Sequence, residues 1–182
     1  MNRLLLILTL MLCSYSWSKA DDLTSFEIEG ITIGDSLLNY YNRNEIQLSF
    51  QNASFYRDKL YAVVFINKSS NIYDRIQVTL KPNDKKYVIF ALEGIIDFNN
   101  QINKCKKKRK EIIQDLKQLF SNYERVDNDG LYEADPSKNS FSYSTWFFLN
   151  SGGFISVECT KMGKEVRKKH GWTDELSIAI TS

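Results

Sequence analysis

Histidine, cysteine and proline are scarce in this chain, and their low numbers argue against particular kinds of site and domain organisation. His170 is the only histidine among 182 residues, so a zinc site would lack most of its usual nitrogen ligands. Only two prolines occur, which argues against long extended linkers. The 24 basic residues nearly balance the 22 acidic ones, and this balance argues against a dedicated nucleic-acid-binding protein. We therefore expect a globular protein without a bound metal or cofactor.

The longest apolar run is too short for a membrane span and is typical of an export signal. Leu4 to Leu12 is apolar except for Thr9, whereas a helix that crosses a bilayer needs about 20 apolar residues. Arg3 precedes the run, and Ser18-Lys19-Ala20 places small residues at the third and first positions before a cut ahead of Asp21. This pattern predicts a signal peptide over residues 1–20 and a periplasmic or secreted mature chain over residues 21–182, with no remaining membrane anchor.

Cleavage would change both the charge and the cysteine count. Arg3 and Lys19 would leave with the signal, so the 24 basic residues would become 22 and equal the 22 acidic ones. Cys13 would leave too, unless it is lipidated, which requires a small preceding residue that this chain lacks. The remaining Cys105 and Cys159 are an even pair, and such pairs usually bridge in an oxidising compartment. We expect a Cys105–Cys159 disulfide, with two buried free thiols as the alternative.

Hydrophobic periodicity predicts a single α+β domain with an antiparallel sheet of about six to seven strands. Residues 98–122 carry apolar side chains at helical spacing, which predicts one long helix. Asp35 or Ser36 is expected to cap one short N-terminal helix that runs from Leu37 towards Leu48. Because strands and helices come in blocks, both helices are expected on one face of the sheet. Strands are expected near 25–29, 60–66, 72–80, 87–96, 141–149, 154–159 and 175–181. Turns or loops are expected at 68–71, 81–84, 127–130, 150–153 and 167–172.

One short motif suggests catalysis. Gly34-Asp35-Ser36-Leu37 resembles the opening block of the GDSL hydrolases, a resemblance that implies Ser36 as the nucleophile of an esterase. That family carries Asp-x-x-His near its C-terminus, whereas Arg167 stands three residues before His170 here. A serine nucleophile without an oriented histidine is a poor catalyst. The expected role of Ser36 is therefore a helix cap, we expect no catalytic residues, and the esterase is kept as an alternative.

Basic residues cluster in the first half of the predicted long helix and again after Cys159. Because cations near a helix N-terminus oppose the helix dipole, their placement needs a reason other than helix stability. One reason is a solvated face whose stems cover apolar surface; the other is a surface for an anionic partner. A Cys105–Cys159 bridge would bring the two segments together. The candidate anion-binding residues are Lys104, Lys106, Lys107, Lys108, Arg109, Lys110, Lys168 and Lys169.

The run from Phe26 to Leu38, with the pattern Phe-x-Ile-Glu-Gly-Ile-x-Ile-Gly-Asp-Ser-Leu-Leu, resembles the mature N-terminus of a family of small exported bacterial proteins. Members of that family also carry a Lys-Pro-Asn-Asp turn, here at 81–84, a Lys-Cys pair, here Lys104-Cys105, and a late second cysteine, here Cys159. The resemblance implies one domain and a disulfide, and it implies no activity. The hypothesis from sequence is thus a non-catalytic binding or envelope-associated module, which binds an anionic surface or a protein partner. A structural or interaction protein with no small ligand is the further alternative.

Overall fold

A computed structural model describes residues 26–66, 70–150 and 152–182. The expected signal peptide at 1–20, the start of the first expected strand and part of the turn at 68–71 lie outside the described residues. In chain order the elements are β1 (Glu27–Ile28), β2 (Ile31–Thr32), α1 (Arg43–Ser49), β3 (Ser54–Phe55), β4 (Ala62–Ile66), β5 (Arg75–Leu80), β6 (Ile89–Asp97), α2 (Ile102–Leu119), β7 (Glu124–Leu131), β8 (Phe141–Phe148), β9 (Phe154–Lys161), α3 (Lys164–His170) and β10 (Glu175–Thr181).

Strands β3 to β10 form one antiparallel sheet in the order β3-β4-β5-β6-β10-β9-β8-β7. The chain builds a meander from β3 to β6, passes through α2 to the far edge, and returns through β7, β8 and β9. Strand β10 then pairs with β6 on one side and β9 on the other. Strands β1 and β2 form a separate two-stranded sheet. The expected α+β fold with a large antiparallel sheet is confirmed.

The main sheet has eight strands, more than the expected six to seven, and the prediction of a loop at 127–130 is wrong. This Asp-Asn-Asp-Gly stretch lies inside β7, which pairs with β8 from Glu124 to Leu131. Strand β7 is the last strand of the sheet, and nearly all of its side chains are exposed. Because an exposed edge strand covers no core, its residues need no apolar alternation, and charges there discourage pairing with other chains. Hydrophobic periodicity therefore does not detect it.

The N-terminal helix is split in two. Ser36 caps a 3₁₀ turn over Leu37–Asn39, and α1 begins only at Arg43. Asn42 starts α1 through a reciprocal capping box: Glu45 N–H donates to the Asn42 side chain at 3.1 Å, and Asn42 N–H donates to the Glu45 carboxylate at 2.8 Å. This box fixes a new helix start and explains why the expected continuous helix does not form.

Helix α2 packs its apolar stripe on β9 and β10, where Cys105 and Ile113 are buried. Together with the N-terminal segment it covers one face of the sheet, where the core lies. Close packing in that core includes Gly94, because a Cβ at this position would lie 2.4 Å from the Tyr73 ring. Within the described residues, no helix is long and apolar enough to cross a bilayer.

A third helix, α3, occupies most of the stretch that was expected to be a loop at 167–172. Val166 is its buried anchor, and Gly171 ends it with φ +70°, a left-handed conformation that glycine adopts at little cost. The basic residues in its last turn interact favourably with the helix dipole. The prediction of a loop was based on the high charge of this segment. The segment instead forms a short helix, which the helix dipole and the C-terminal glycine stabilise.

Candidate functional site

Side-chain alternation divides the main sheet into a covered face and an open face. On the covered face, residues such as Val78, Leu92 and Val157 belong to the core. On the open face, Gln77 of β5, Glu93 of β6, Ala179 of β10, Ser156 of β9 and Trp146 of β8 form one cross-strand row. Glu93 and Ala179 are neighbours in this row although 86 positions separate them in the sequence, so the sheet brings distant segments together.

A trough of about 630 Å³ runs across the open face. Its floor consists of small side chains, and most of them come from β10, the central strand. Larger side chains rise from the strands on both sides of β10, which makes the face hollow at its centre. The volume lies within the usual range of small-molecule sites. The small floor residues are Ala91, Ser156, Ser177, Ala179 and Thr181.

Arg75 forms an ion triad at one end of the trough. Its guanidinium lies 2.6 Å from Asp97 Oδ1 and 2.6 Å from Glu175 Oε2. Burial disfavours the charge on Arg75, but Glu175 and Asp97 outweigh that effect and raise its pKa. Burial also raises the pKa of Glu175, and Arg75 opposes this change. The positive charge of Arg75 is thus already matched by two carboxylates.

Glu93 and Glu158 are the other two carboxylates of the trough. Glu93 accepts hydrogen bonds from Gln77 and Ser177, and Glu158 accepts one from Thr160 at 3.0 Å. Within the described part of the chain, no cationic side chain lies within ion-pair distance of either carboxylate. Burial raises the pKa of Glu93, and the negative charge of Glu158 adds to this effect. In the described structure, the trough therefore contains two acidic groups that are not part of an ion pair.

Tyr132 extends over these acidic groups from the loop between β7 and β8. Burial raises its pKa to about 12, and the charges of Glu175, Glu158 and Glu93 act in the same direction. A phenol in such a field stays protonated, so it remains a hydrogen-bond donor. Tyr132 thus gives the trough a neutral, partly covering side.

The loop that carries Tyr132 is organised by Asp135, which is only 2% exposed. Its carboxylate accepts hydrogen bonds from Ser137 Oγ at 2.6 Å, Ser140 Oγ at 2.7 Å and Asn139 N–H at 3.1 Å. Hydrogen bonds from Ser137 and Ser140 hold the pKa of Asp135 well below its usual value. These hydrogen bonds order the loop and thereby fix the position of Tyr132.

The loop also docks on the start of α3. Gly163 N–H donates to Ser140 Oγ at 2.9 Å, and a Cβ at Gly163 would lie 2.8 Å from Asn139 Cβ. Only glycine allows this close approach. The position of Tyr132 is thus coupled to α3 as well as to the sheet.

Aromatic rings line the trough near β8 and β9. The rings of Trp146 and Phe154 lie 4.8 Å apart, and both residues line the trough. Trp172 lies in the lining after α3, where its ring stacks on His170 at 4.9 Å. An aromatic wall beside carboxylates offers one surface for apolar groups and for cations.

The candidate anion-binding residues divide into two that are held against the sheet and several that are exposed. Lys106 Nζ lies 3.5 Å from the centre of the Tyr143 ring. Arg109 donates to Thr145 Oγ1 at 2.5 Å, and burial lowers its pKa. Both side chains therefore contact β8 on the covered face of the sheet. Exposed lysines are Lys104, Lys107, Lys108, Lys110, Lys168 and Lys169.

The expected disulfide is present and places both basic segments at one end of the sheet. Cys105 and Cys159 are joined, with Cα atoms 6.0 Å apart. Phe98 N–H, just before α2, donates to the Asp174 carbonyl at 2.7 Å. Arg167 of α3 binds the Asp174 carboxylate at 2.5 Å. Helices α2 and α3 therefore both begin near this end.

Ser36 has the geometry of a cap. Its hydroxyl accepts from Leu38 N–H at 3.2 Å and donates to the Lys86 carbonyl at 2.5 Å. His170 lies at the end of α3, with its ring against Trp172. The hydrogen bonds of Ser36 are those of a structural residue, and its hydroxyl proton is directed to a main-chain oxygen.

Sequence reasoning did not identify the trough. The available signal was charge inside apolar strands: Glu93 follows Ala91-Leu92, and Glu158 follows Ser156-Val157. A carboxylate at such a position faces either solvent or a cavity, and the sequence alone does not distinguish the two. Strand order decides, since it places β6 and β9 on opposite sides of β10.

Comparisons with protein-family models, curated proteins and solved structures found no match. The resemblance to a family of small exported proteins therefore stays a prediction from the motifs quoted above.

Proposed function

We propose that the protein is an exported, non-catalytic binding module whose ligand occupies the trough. The trough itself carries the proposal: it is a hollow of about 630 Å³ with carboxylates and aromatic rings around a floor of small side chains. Binding sites are typically concave, with apolar walls and a few polar groups that orient the ligand. The trough is more polar than this: half of its lining residues are apolar or aromatic, and the charged ones are Arg75, Glu93, Glu158 and Glu175.

Export is part of the proposal and is supported by two observations. The pattern at residues 1–20 is that of a signal peptide, and Cys105 and Cys159 are disulfide-bonded. Structural disulfides persist in oxidising compartments such as the periplasm or the extracellular space. A mature chain starting at Asp21 is therefore the form to test.

The chain provides its own reporter of trough binding. Its three tryptophans are Trp17, Trp146 and Trp172; Trp17 belongs to the predicted signal peptide, and the other two line the trough. Tryptophan emission of the mature chain, excited selectively over tyrosine, thus comes from two rings that both line the trough. We expect a saturable change in emission with at least one of three phenyl-bearing probes: phenethylamine, phenethyl alcohol or phenylpropionate.

Filling the floor of the trough separates site binding from non-specific effects. Ala179→Leu adds bulk between Glu93 and Ser156 and should abolish the emission change. Ser121→Leu, which introduces the same leucine side chain at an exposed position after α2, is the control and should leave it intact. No saturable change with any probe contradicts the proposal and favours the alternative of a structural or interaction protein. So does a change that survives in Ala179→Leu.

A second candidate function, binding of an anionic surface, is supported by the exposed lysines of α2. Lys107 and Lys110 project from the side of the helix away from the sheet, and Lys104 and Lys108 flank them. Lys108 has only a weak partner, since its Nζ lies 3.8 Å from Glu111. Clustered, weakly paired cations attract anionic surfaces.

Vesicle flotation tests this second function. The wild-type mature chain should float with phosphatidylglycerol vesicles at low salt, and Lys107→Glu/Lys110→Glu should not. Lys85→Glu/Lys86→Glu has the same change in net charge at another exposed site and should still float. If the wild type does not float at low salt, or if both double variants lose binding equally, the lysines of α2 are not a docking surface.

A further inference from the structure

We infer that the ligand of the trough carries an ammonium group, which Glu93 and Glu158 hold from opposite sides of β10. This inference rests on the proposed function, since it names the ligand class of the same site. It is carried by the position of two carboxylates in a cavity that also has an aromatic wall, since neither carboxylate forms an ion pair with a described residue.

The strand register sets the geometry. Glu93 pairs with Ala179 across β6 and β10, and Glu158 pairs with Ser177 across β9 and β10. Neighbouring strands are about 4.8 Å apart and a strand rises about 3.4 Å per residue. Because the two pairs are offset by two residues along β10, the two backbone positions are about 12 Å apart. Because Ala179 and Ser177 are small, the space above β10 is open to a group that contacts both carboxylates.

Electrostatics favour a cation in that space. Among the described residues that line the trough, Arg75 is the only basic one, against three glutamates, and its charge is matched by Glu175 and Asp97. The charge of Arg75 opposes the rise in the pKa of Glu93, but among the described residues neither Glu93 nor Glu158 has a cationic side chain within ion-pair distance. Two carboxylates that repel each other in a partly buried site gain the most from a bound cation.

The aromatic groups specify the rest of the ligand. Trp146 follows Ser156 in the same cross-strand row as Glu93, and its ring stands beside that of Phe154. An apolar group attached to the ammonium would contact these rings, and the ring faces also attract the cation. Because its raised pKa keeps Tyr132 protonated, this side chain adds no charge of its own next to a bound cation. The ligand class is thus a primary or quaternary amine with an apolar substituent.

The three phenyl-bearing probes test the charge directly, because they differ mainly in the polar end. Tryptophan emission of the mature chain should give a dissociation constant for phenethylamine at least about tenfold lower than for phenethyl alcohol. Phenylpropionate should bind more weakly than the alcohol. Glu93→Gln and Glu158→Gln should each bring the affinity for the amine close to that of the alcohol. Glu165→Gln, which removes an exposed carboxylate on α3, should leave it unchanged.

The outcomes separate this inference from the proposed function. Equal binding of amine and alcohol, or tighter binding of phenylpropionate, overturns the ammonium assignment while the trough remains a binding site. No binding of any probe overturns both. If Ca²⁺ changes the emission and this change requires both Glu93 and Glu158, the pair holds a metal ion and the assignment is wrong. A thermal unfolding curve for each variant shows that lost binding is not lost folding.

Discussion

Removal of the disulfide should lower the stability of the mature chain by a calculable amount. Cys105 and Cys159 are separated by 54 residues, and the chain-entropy treatment gives about 4 kcal/mol for a loop of this length. Folded domains are stable by about 5–15 kcal/mol. The variant Cys105→Ala/Cys159→Ala should therefore still fold, but with a melting temperature lower by roughly 10 °C.

Two urea titrations distinguish the cross-link from the packing of the sulfurs. Both cysteines are fully buried, so their replacement by alanine also removes contacts. Wild type with a reductant keeps both sulfur atoms and loses only the bond. If the cross-link dominates, reduced wild type and the double variant should lose similar stability, and both should show a larger m value because their unfolded chains are more open.

A loss of less than about 1 kcal/mol in the free energy of unfolding in both titrations would refute this reasoning. It would mean that opening the loop adds little entropy to the unfolded chain. Maleimide labelling of the unfolded, unreduced wild type is the second check. The disulfide predicts no labelling of the mature chain, and quantitative labelling of both thiols would show that the bond is absent.

Three further predictions follow from the packing and charges. Gly94→Ala should cost about 1–3 kcal/mol in urea unfolding, because the Tyr73 ring occupies the space of a Cβ; Gly130→Ala, with nothing within 4 Å, should be close to neutral. Asp135→Ala should free the loop at 132–140 and speed hydrogen exchange there, and exchange at the wild-type rate would contradict its organising role. Glu93→Gln should stabilise the protein increasingly as pH rises, as measured by melting temperature. The raised pKa of Glu93 means that the native state holds its proton above the ordinary carboxyl range, so wild type loses stability there while the glutamine does not. A difference that is constant with pH would contradict this.

The elements that could be predicted from the sequence are those whose periodicity reflects burial. Helix α2 was expected from its apolar stripe, and β10 was expected over 175–181, as the structure has it. Strand β7 and helix α3 were missed because exposed polar segments show no such periodicity. The disulfide followed from the count of cysteines in the mature chain, which did not depend on the fold.

The trough could not be predicted, because it arises from strand order. Glu93 and Glu158 lie 65 positions apart in sequence, and the insertion of β10 between β6 and β9 places them in the lining of one trough. This strand order arises because the chain passes from β6 to β7 at the far edge of the sheet and then returns through β8 and β9 to β10. Local propensity says little about such long-range pairing.

Glu93 separates a structural explanation of the trough from a functional one. A carboxylate in the middle of a sheet, without a cationic partner among the described residues, lowers stability at neutral pH. Such a violation of local rules is expected at functional sites, where stability is sacrificed for binding. If the carboxylate serves binding, Glu93→Gln should raise the melting temperature and weaken phenethylamine binding in the same protein. If the carboxylate served the fold through its bonds with Gln77 and Ser177, the substitution would lower the melting temperature. The opposite signs make stability and binding, measured together on one variant, more decisive than either measurement alone.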